Sequence, residues 1–344
     1  MNQKVLFFQS RIAPFRKILF NRLSNDFDIT YASLKKTGFA SGLRIKYFSR
    51  RSFLGLYFIG LSFFKNIRQY DIIVLEFNIR YVQFLFFKIF FPRKKLIFWG
   101  IGVSSDSGFD KPNLINDLIR LLFIRVADQI IFYSEYPFIK FSNYRGLYKK
   151  LLVSGNCNLD NVEWNNNVDN RVNLLFIGTL KRNKGFEEII SLIFKIKNNF
   201  FNKVIVIGDG EMLVPFRNQI DLLGLTTYFD FRGSLDINVS YETVIDSCFL
   251  TVLPSQAGLT VVDSMKMGIP VVTKFNSITG GERLYIQNEY NGFFYKDILD
   301  LESIVLRLYV DKEYRKIVSQ NAFGYINTVT SIERMAKVIS STFN

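Results

Sequence analysis

The sequence predicts a two-domain α/β protein, and three observations point there. Its 344 residues exceed one ordinary hydrophobic core and suit two, of about 150 to 170 residues each. Short apolar runs alternate with stretches of helical spacing, and the alternation occurs twice, on either side of an Asn- and Asp-rich segment. Glycines recur just past the ends of the apolar runs, where ligands bind in doubly wound parallel sheets.

Lys4 to Phe8 reads as a first short strand. Ile18, Leu19 and Leu23 then give helical spacing across Phe15 to Leu23. Strands follow at Ile29 to Ala32, Ile72 to Glu76 and Lys95 to Trp99, then a helix over Leu114 to Val126 and a strand at Gln129 to Tyr133. Asn158 to Asn170 lacks periodicity and reads as a linker. The pattern restarts with a strand at Asn173 to Ile177 and a helix at Phe186 to Ile196. Strands at Lys203 to Ile207, Tyr228 to Phe231 and Cys248 to Leu253 end near Gly208, Gly233 and Pro254. A helix over Leu259 to Met267 leads to a strand at Pro270 to Thr273, and a last helix covers about Ser331 to Phe343. Expected boundaries are 1–157 for the first domain, 158–170 for the linker and 171–326 for the second domain. The 327–344 helix is expected to reach back to the first.

Composition removes several chemistries. The chain has no histidine, which excludes Ser-His-Asp catalysis, His-ligated metals and any imidazole acid or base. Two cysteines, Cys157 and Cys248, exclude a disulfide framework and a structural zinc site, and both are expected reduced in or near the core. The net charge of +14 is uneven. Through Asn170 there are 25 Lys and Arg against 12 Asp and Glu; beyond it, 19 against 18. A basic half suits nucleic acid, an anionic membrane or an acidic ligand. No helix-turn-helix, zinc or RRM motif supports nucleic acid.

The apolar run Val5 to Phe8 is too short for a secretory signal. The longest apolar runs, Phe53 to Phe64 and Phe84 to Phe91, fall well short of a membrane span. They read as core helices. Bracketed by Arg50, Arg51, Lys65 and Arg68, and followed by Arg93, Lys94 and Lys95, they also suit an anionic headgroup interface. The expected location is cytoplasmic, peripheral on the inner face of the cell membrane.

The densest chemical signal is Leu253 to Thr273, LPSQAGLTVVDSMKMGIPVVT. A strand ends, a loop bearing Gly258 turns, and a helix begins near Leu259, where backbone N–H groups can hold a phosphate. Asp263 follows one turn in. This segment resembles the donor-site signature of the retaining GT-B glycosyltransferases of family four, or group 1: E-G-F-G, four residues, E-A-M-A, then G-x-P-V-V. Gly258 falls on the second loop glycine, Asp263 on the second glutamate, Met265 on the methionine, and Gly268, Pro270, Val271 and Val272 on the tail. Upstream, Phe176 to Leu180 with Lys184-Gly185 looks like F-x-G-R-L…K-G. Ile207 to Glu211 looks like the G-x-G turn and Phe231-Arg232-Gly233 like F-x-G. Downstream, Glu282 with Asn291-Gly292 looks like E-x-I…N-G. The resemblance covers about 173–295.

The sequence also departs from that pattern. Ser255 stands where the first glutamate would be, Thr179 where an arginine would be, and Ile101 where many members carry a histidine. Gln9-Ser10-Arg11 replaces a Gly-Gly loop after the first strand. Asp26 and Asp28 form a D-x-D, a metal pair in sugar transferases of another fold, but Asp26 reads as a turn residue and no metal site is expected.

The resemblance implies two Rossmann-like domains facing each other across a cleft. It implies a retaining transferase of hexosyltransferase type, independent of metal and cofactor, moving a sugar from a UDP- or GDP-sugar to a glycan or polyprenyl-diphosphate-linked acceptor in polysaccharide biosynthesis. Lys184 would face the donor diphosphate and stabilise the charge developing on it. Donor binding would also draw on Gly178, Thr179, Lys181, Arg182, Gly208, Arg232, Gly233, Ser255, Gly258, Leu259, Thr260 and Asp263. Arg11 and Arg16, flanking Pro14 beyond the first strand, would bind the acceptor. Two alternatives remain: a catalytically degenerate nucleotide-sugar-binding protein, and a GT-B nucleotide-sugar epimerase.

Overall fold

The computed structural model describes residues 3–36, 42–104, 113–159, 162–165, 167–200, 202–234 and 246–344. The chain divides into two compact units, Met1–Asn158 with Thr330–Asn344, and Leu159–Val329.

In the first unit, seven parallel strands lie in the order β3-β2-β1-β6-β7-β8-β9. They are β1 (Lys4–Gln9), β2 (Asp28–Ser33), β3 (Ile45–Tyr47), β6 (Ile72–Glu76), β7 (Lys95–Gly100), β8 (Gln129–Phe132) and β9 (Leu151–Val153). The central strands are apolar between their ends, as in Val5 to Phe8, Ile72 to Leu75 and Leu96 to Trp99, because helices cover both faces of the sheet. Phenylalanines fill the space beside it: Phe8 meets Phe63 at 5.3 Å between ring centroids, and Phe98 meets Phe123 at 5.3 Å. The helix Arg16–Asp26 buries Leu19, Phe20 and Leu23, and the helix Ile332–Ser341 packs against it.

The second unit holds six parallel strands in the order β12-β11-β10-β13-β14-β15. They are β10 (Asn173–Ile177), β11 (Val204–Ile207), β12 (Phe229–Gly233), β13 (Cys248–Leu253), β14 (Val271–Lys274) and β15 (Gly292–Tyr295). The helix Phe186–Ile196 buries Phe186, Ile189, Ile190, Ile193 and Ile196, a continuous stripe at helical spacing. Glu187 and Glu188 in its first turn and Lys195 in its last complement its dipole.

Two expectations fail in the structure. The run Phe53 to Phe64 is not one helix: β4 (Arg50–Phe53) and β5 (Leu56–Ile59) form an antiparallel hairpin, and a helix follows at Leu61–Ile67. The Leu54-Gly55 pair turns the chain with both φ angles positive, which no helix allows. Phe84 to Phe91 likewise splits into a 3-10 turn at Val82–Phe86 and a short helix at Phe87–Phe90.

The segment read as a linker is packed where it is described; residues 160, 161 and 166 lie outside the described residues. The Trp164 ring sits 5.3 Å from Phe323 and against the Cα of Gly268, where a Cβ would lie 2.6 Å from the ring. Both cysteines are buried and outside any disulfide, as expected. Asp26 ends a helix and pairs with Arg22 at 2.6 Å, while Asp28 starts β2 and pairs with Arg44.

Candidate functional site

Chain order reverses direction across each sheet, and the ends of the strands flanking that reversal are where a crevice opens. In the second unit the reversal lies between β10 and β13. Gly178 and Thr179 follow β10, and Pro254 and Ser255 follow β13. Gly208 and Gly233 extend the same edge past β11 and β12. They are tied to it by Gly178 N–H to Ile207 O at 3.0 Å and Gly208 N–H to Gly233 O at 2.8 Å. At φ 140° Gly208 lies so close to the Gly178 carbonyl that any Cβ would overlap it.

Lys184 ends a 3-10 turn, Arg182–Lys184, that leads into the helix Phe186–Ile196. Gly185, at φ 73°, makes the turn possible. A Cβ on it would overlap Ser255 Oγ and lie 2.9 Å from Pro254 Cβ. The turn is therefore pressed onto the loop after β13, some 70 positions further on. Lys184 is half-buried, contrary to a solvated lysine, and it makes no ion pair among the described residues. Burial lowers its pKa, and neighbouring Lys181 lowers it further. Thr179, Lys181 and Arg182 are exposed beside it. Arg232 is exposed at the outer end of the edge and pairs with Asp230 at 2.7 Å.

Gly258, Leu259 and Thr260 lead into the helix Thr260–Lys266, whose Asp263 is only 5% exposed. That helix is fixed from behind by Arg171, which the sequence did not single out. The guanidinium, completely buried, donates to the carbonyls of Gly268 at 2.7 Å and Met267 at 3.0 Å, closing the helix C-terminus. Ser255 accepts from Ile278 N–H at 2.8 Å, joining its loop to the segment that carries Glu282. Glu282 is buried, accepts from Gly280 N–H at 3.0 Å, and has its pKa raised by that burial. Glu188, in the first turn of the helix that follows Lys184, is held by Lys274 at 2.5 Å and by Tyr295 Oη at 3.0 Å.

In the first unit the reversal lies between β1 and β6, and a cavity of about 770 Å³ opens there. The segments after β1, β6 and β7 line it, with Arg120, Tyr133 and Asn156. Glu76 lines it and accepts from Ser10 N–H at 2.7 Å. Arg11 is exposed at the wall, but Arg16 is no surface arginine. It is 4% exposed, lies 4.5 Å over the Trp99 ring and 5.2 Å over Tyr133, and donates to Asn156 Oδ1 at 2.8 Å. Burial lowers its pKa, partly opposed by Tyr133 and Cys157, and its Nη1 has no hydrogen-bond partner. The helix beginning at Arg16 turns the guanidinium inward, which a Pro14-flanking pair in sequence does not disclose. Ile101 lines the same cavity.

Residues 160–325 match the family model described as glycosyl transferases group 1. Over these residues, 166 of the 344, the chain is similar to that family. The matched segment contains every loop of the second unit described above. A curated relative, the uncharacterized glycosyltransferase MJ1607 of Methanocaldococcus jannaschii, is 26% identical over 174 residues, 49% of this chain and 44% of the relative. The match thus spans less than half of that relative's length. Anabaena Alr3699/HepE, solved with UDP and glucose, superposes with a TM-score of 0.75 at 16% identity, covering 99% of both chains. A mutant of S. aureus TarM, solved with fondaparinux, alpha-GlcNAc-glycerol and UDP, gives 0.73 at 11% identity, covering 99% of this chain and 100% of that one. The chain shares the GT-B fold of these structures. Among the described residues no helix is long and apolar enough to cross a membrane.

Proposed function

We propose that the protein is a retaining glycosyltransferase. It moves a hexosyl group from a UDP- or GDP-sugar to a glycan or polyprenyl-diphosphate-linked acceptor in polysaccharide biosynthesis, without metal or cofactor. The observation that carries this reading is Lys184, a half-buried cation with no acid beside it, held by Gly185 against the Ser255 loop at the sheet reversal. Such a cation is stabilised by an anion, and the diphosphate of a nucleotide sugar gains charge as the sugar leaves. Solved neighbours bound to UDP support the donor class. The loops at Gly178, Gly208 and Gly233, with Gly258 to Thr260, would wrap the nucleotide, and Asp263 would accept from ribose hydroxyls. A leaving phosphate oxygen would take the acceptor proton, so a chain without histidine can run the reaction.

Arg11 and Arg16 would sit on the acceptor side, in the cavity that Glu76 also lines. Arg11 is placed to touch an anionic acceptor, and Arg16 to hold Asn156 and the aromatic wall in position. The basic first half would keep the protein on the inner face of the membrane, where a lipid-linked acceptor resides.

A second reading rests on Ser255: with a hydroxyl where a carboxylate would grip the sugar, the protein would bind nucleotide sugar without transferring it. The deciding experiment is a thermal-shift screen with UDP, GDP and their sugars, followed by assay of donor hydrolysis. Stabilisation by a nucleotide sugar with hydrolysis supports the transferase. Stabilisation without hydrolysis or transfer favours the binder. No response to any nucleotide rejects both.

A further inference from the structure

The hairpin of β4 and β5 stands apart from the main sheet and ends in an apolar tip. Phe53 is 68% exposed and Leu54 is 85% exposed, and Leu61 just beyond β5 is 79% exposed. The turn gives Leu54 a φ of 48° and Gly55 a φ of 77°. A two-residue turn of this kind favours Asn-Gly, because asparagine tolerates the left-handed region and welcomes water. Leucine does neither. At position 54 it meets both a backbone penalty and hydration of a side chain that is 85% exposed.

The surroundings of the tip are one-signed. From residue 29 to residue 70 there is no Asp or Glu, while Lys and Arg number eight. Arg50 and Arg51 are exposed on the hairpin, and Lys65 and Arg68 are exposed on the turn of helix that follows. Arg50 is held over the Tyr57 ring at 4.0 Å, so the basic shoulder has a fixed place relative to the tip. A water-facing loop needs neither feature. A bilayer supplies a partner for both, with acyl chains for Phe53 and Leu54 and anionic headgroups for the arginines behind them.

We propose that residues 50–61 form an insertion loop that anchors the protein to an anionic membrane, Phe53 and Leu54 entering the acyl region. The proposal rests on the peripheral-membrane reading above and deepens it. The loop also connects to the cavity of the first unit. Tyr57 donates its N–H-side backbone bond to Arg80 O at 2.8 Å and accepts at Oη from Arg80 Nη1 at 2.8 Å, and both Leu56 and Arg80 line that cavity. The base of an anchored hairpin thus lies at the cavity wall, where a lipid-linked acceptor could pass from bilayer to protein without crossing water.

The test is sedimentation with vesicles of phosphatidylcholine alone and with phosphatidylglycerol added. It uses the wild type, Leu54→Asn and Leu54→Phe, with thermal melts of each. Leu54→Asn should bind the anionic vesicles about tenfold more weakly, the loss of one buried leucine, and melt no lower than wild type. Leu54→Phe should bind at least as well as wild type. Equal binding of wild type and Leu54→Asn would overturn the insertion loop while leaving peripheral attachment standing. A wild type that ignores anionic vesicles removes both readings. A concentration-dependent dimer abolished by Leu54→Asn would assign the tip to a second copy of the chain and reject the bilayer.

Discussion

At Lys184 a positive charge sits where its surroundings resist it. Burial and Lys181 both depress its pKa, and no acid among the described residues pairs with it. The sign of the pH dependence follows. In the empty protein the folded state releases this proton more readily than the unfolded chain. Stability therefore rises with pH between the depressed value and the ordinary lysine value. A bound diphosphate does the opposite, favouring the protonated lysine, so UDP affinity is expected to fall as pH climbs through the depressed value. Calorimetric titration with UDP at neutral and alkaline pH reads this directly. Lys184→Ala is expected to lower kcat by about 10² to 10³, weaken UDP and leave the melting temperature unchanged or slightly higher. Wild-type transfer and affinity would shift the diphosphate contact to Lys181 or Arg182. The two arginines proposed for the acceptor side, Arg11 and Arg16, should separate cleanly. Arg16→Ala removes a buried guanidinium packed on Trp99 and bonded to Asn156, and is expected to cost about 2 to 4 kcal/mol in denaturant unfolding. Arg11→Ala touches only an exposed side chain, so its effect should appear in the acceptor KM and not in the melt.

The helix Thr260–Lys266 depends on a residue outside it. Arg171 closes its last carbonyls, and replacing that arginine with alanine leaves buried acceptors without their donor. Arg171→Ala is expected to lose about 3 kcal/mol and to weaken donor binding by loosening the segment that carries Asp263. Arg171→Lys should recover little, since one ammonium cannot span both carbonyls. By contrast, Arg22 and Glu333 join two helices of the first unit across an exposed 3.1 Å pair, and Glu333→Gln should change stability by less than about 1 kcal/mol. What sequence discloses at this scale follows the physics of burial. Strands such as Ile72–Glu76 and Cys248–Leu253 were legible because both faces are covered and each run is apolar but for one residue, Glu76 and Thr251. The hairpin at 50–59 was not, because its apolar residues face outward and period gives no warning of that. The loops holding Lys184, Gly208 and Ser255 were legible through glycines at strand ends. The burial of Arg16 and the roles of Arg171 and Glu76 come from packing between distant segments, which no local spacing encodes.

Each unit carries one cysteine, both inaccessible: Cys157 in the first and Cys248 in the second, where burial pushes the thiol pKa up to about 12. Neither should react with a thiol reagent until its surroundings open. Labelling under native conditions therefore times the opening of each unit separately. If the nucleotide belongs to the second unit, UDP should slow modification of Cys248 more than that of Cys157. Stronger protection of Cys157 would place the nucleotide in the first unit instead. Mapping the labelled peptides by mass spectrometry distinguishes these outcomes.

The Arg16 cation lying on Trp99 also has an optical consequence. The chain has two tryptophans, and Trp99 shares its ring face with a charge at the wall of the first unit's cavity. The emission of an indole responds to the electric field across it, and the Arg16 cation lies 4.5 Å from this ring. An anionic acceptor entering the cavity would partly cancel its field, whereas Trp164, packed on Phe323 in the second unit, would not sense the change. With Trp164→Phe, the fluorescence of Trp99 becomes a built-in reporter of acceptor binding that needs neither label nor turnover.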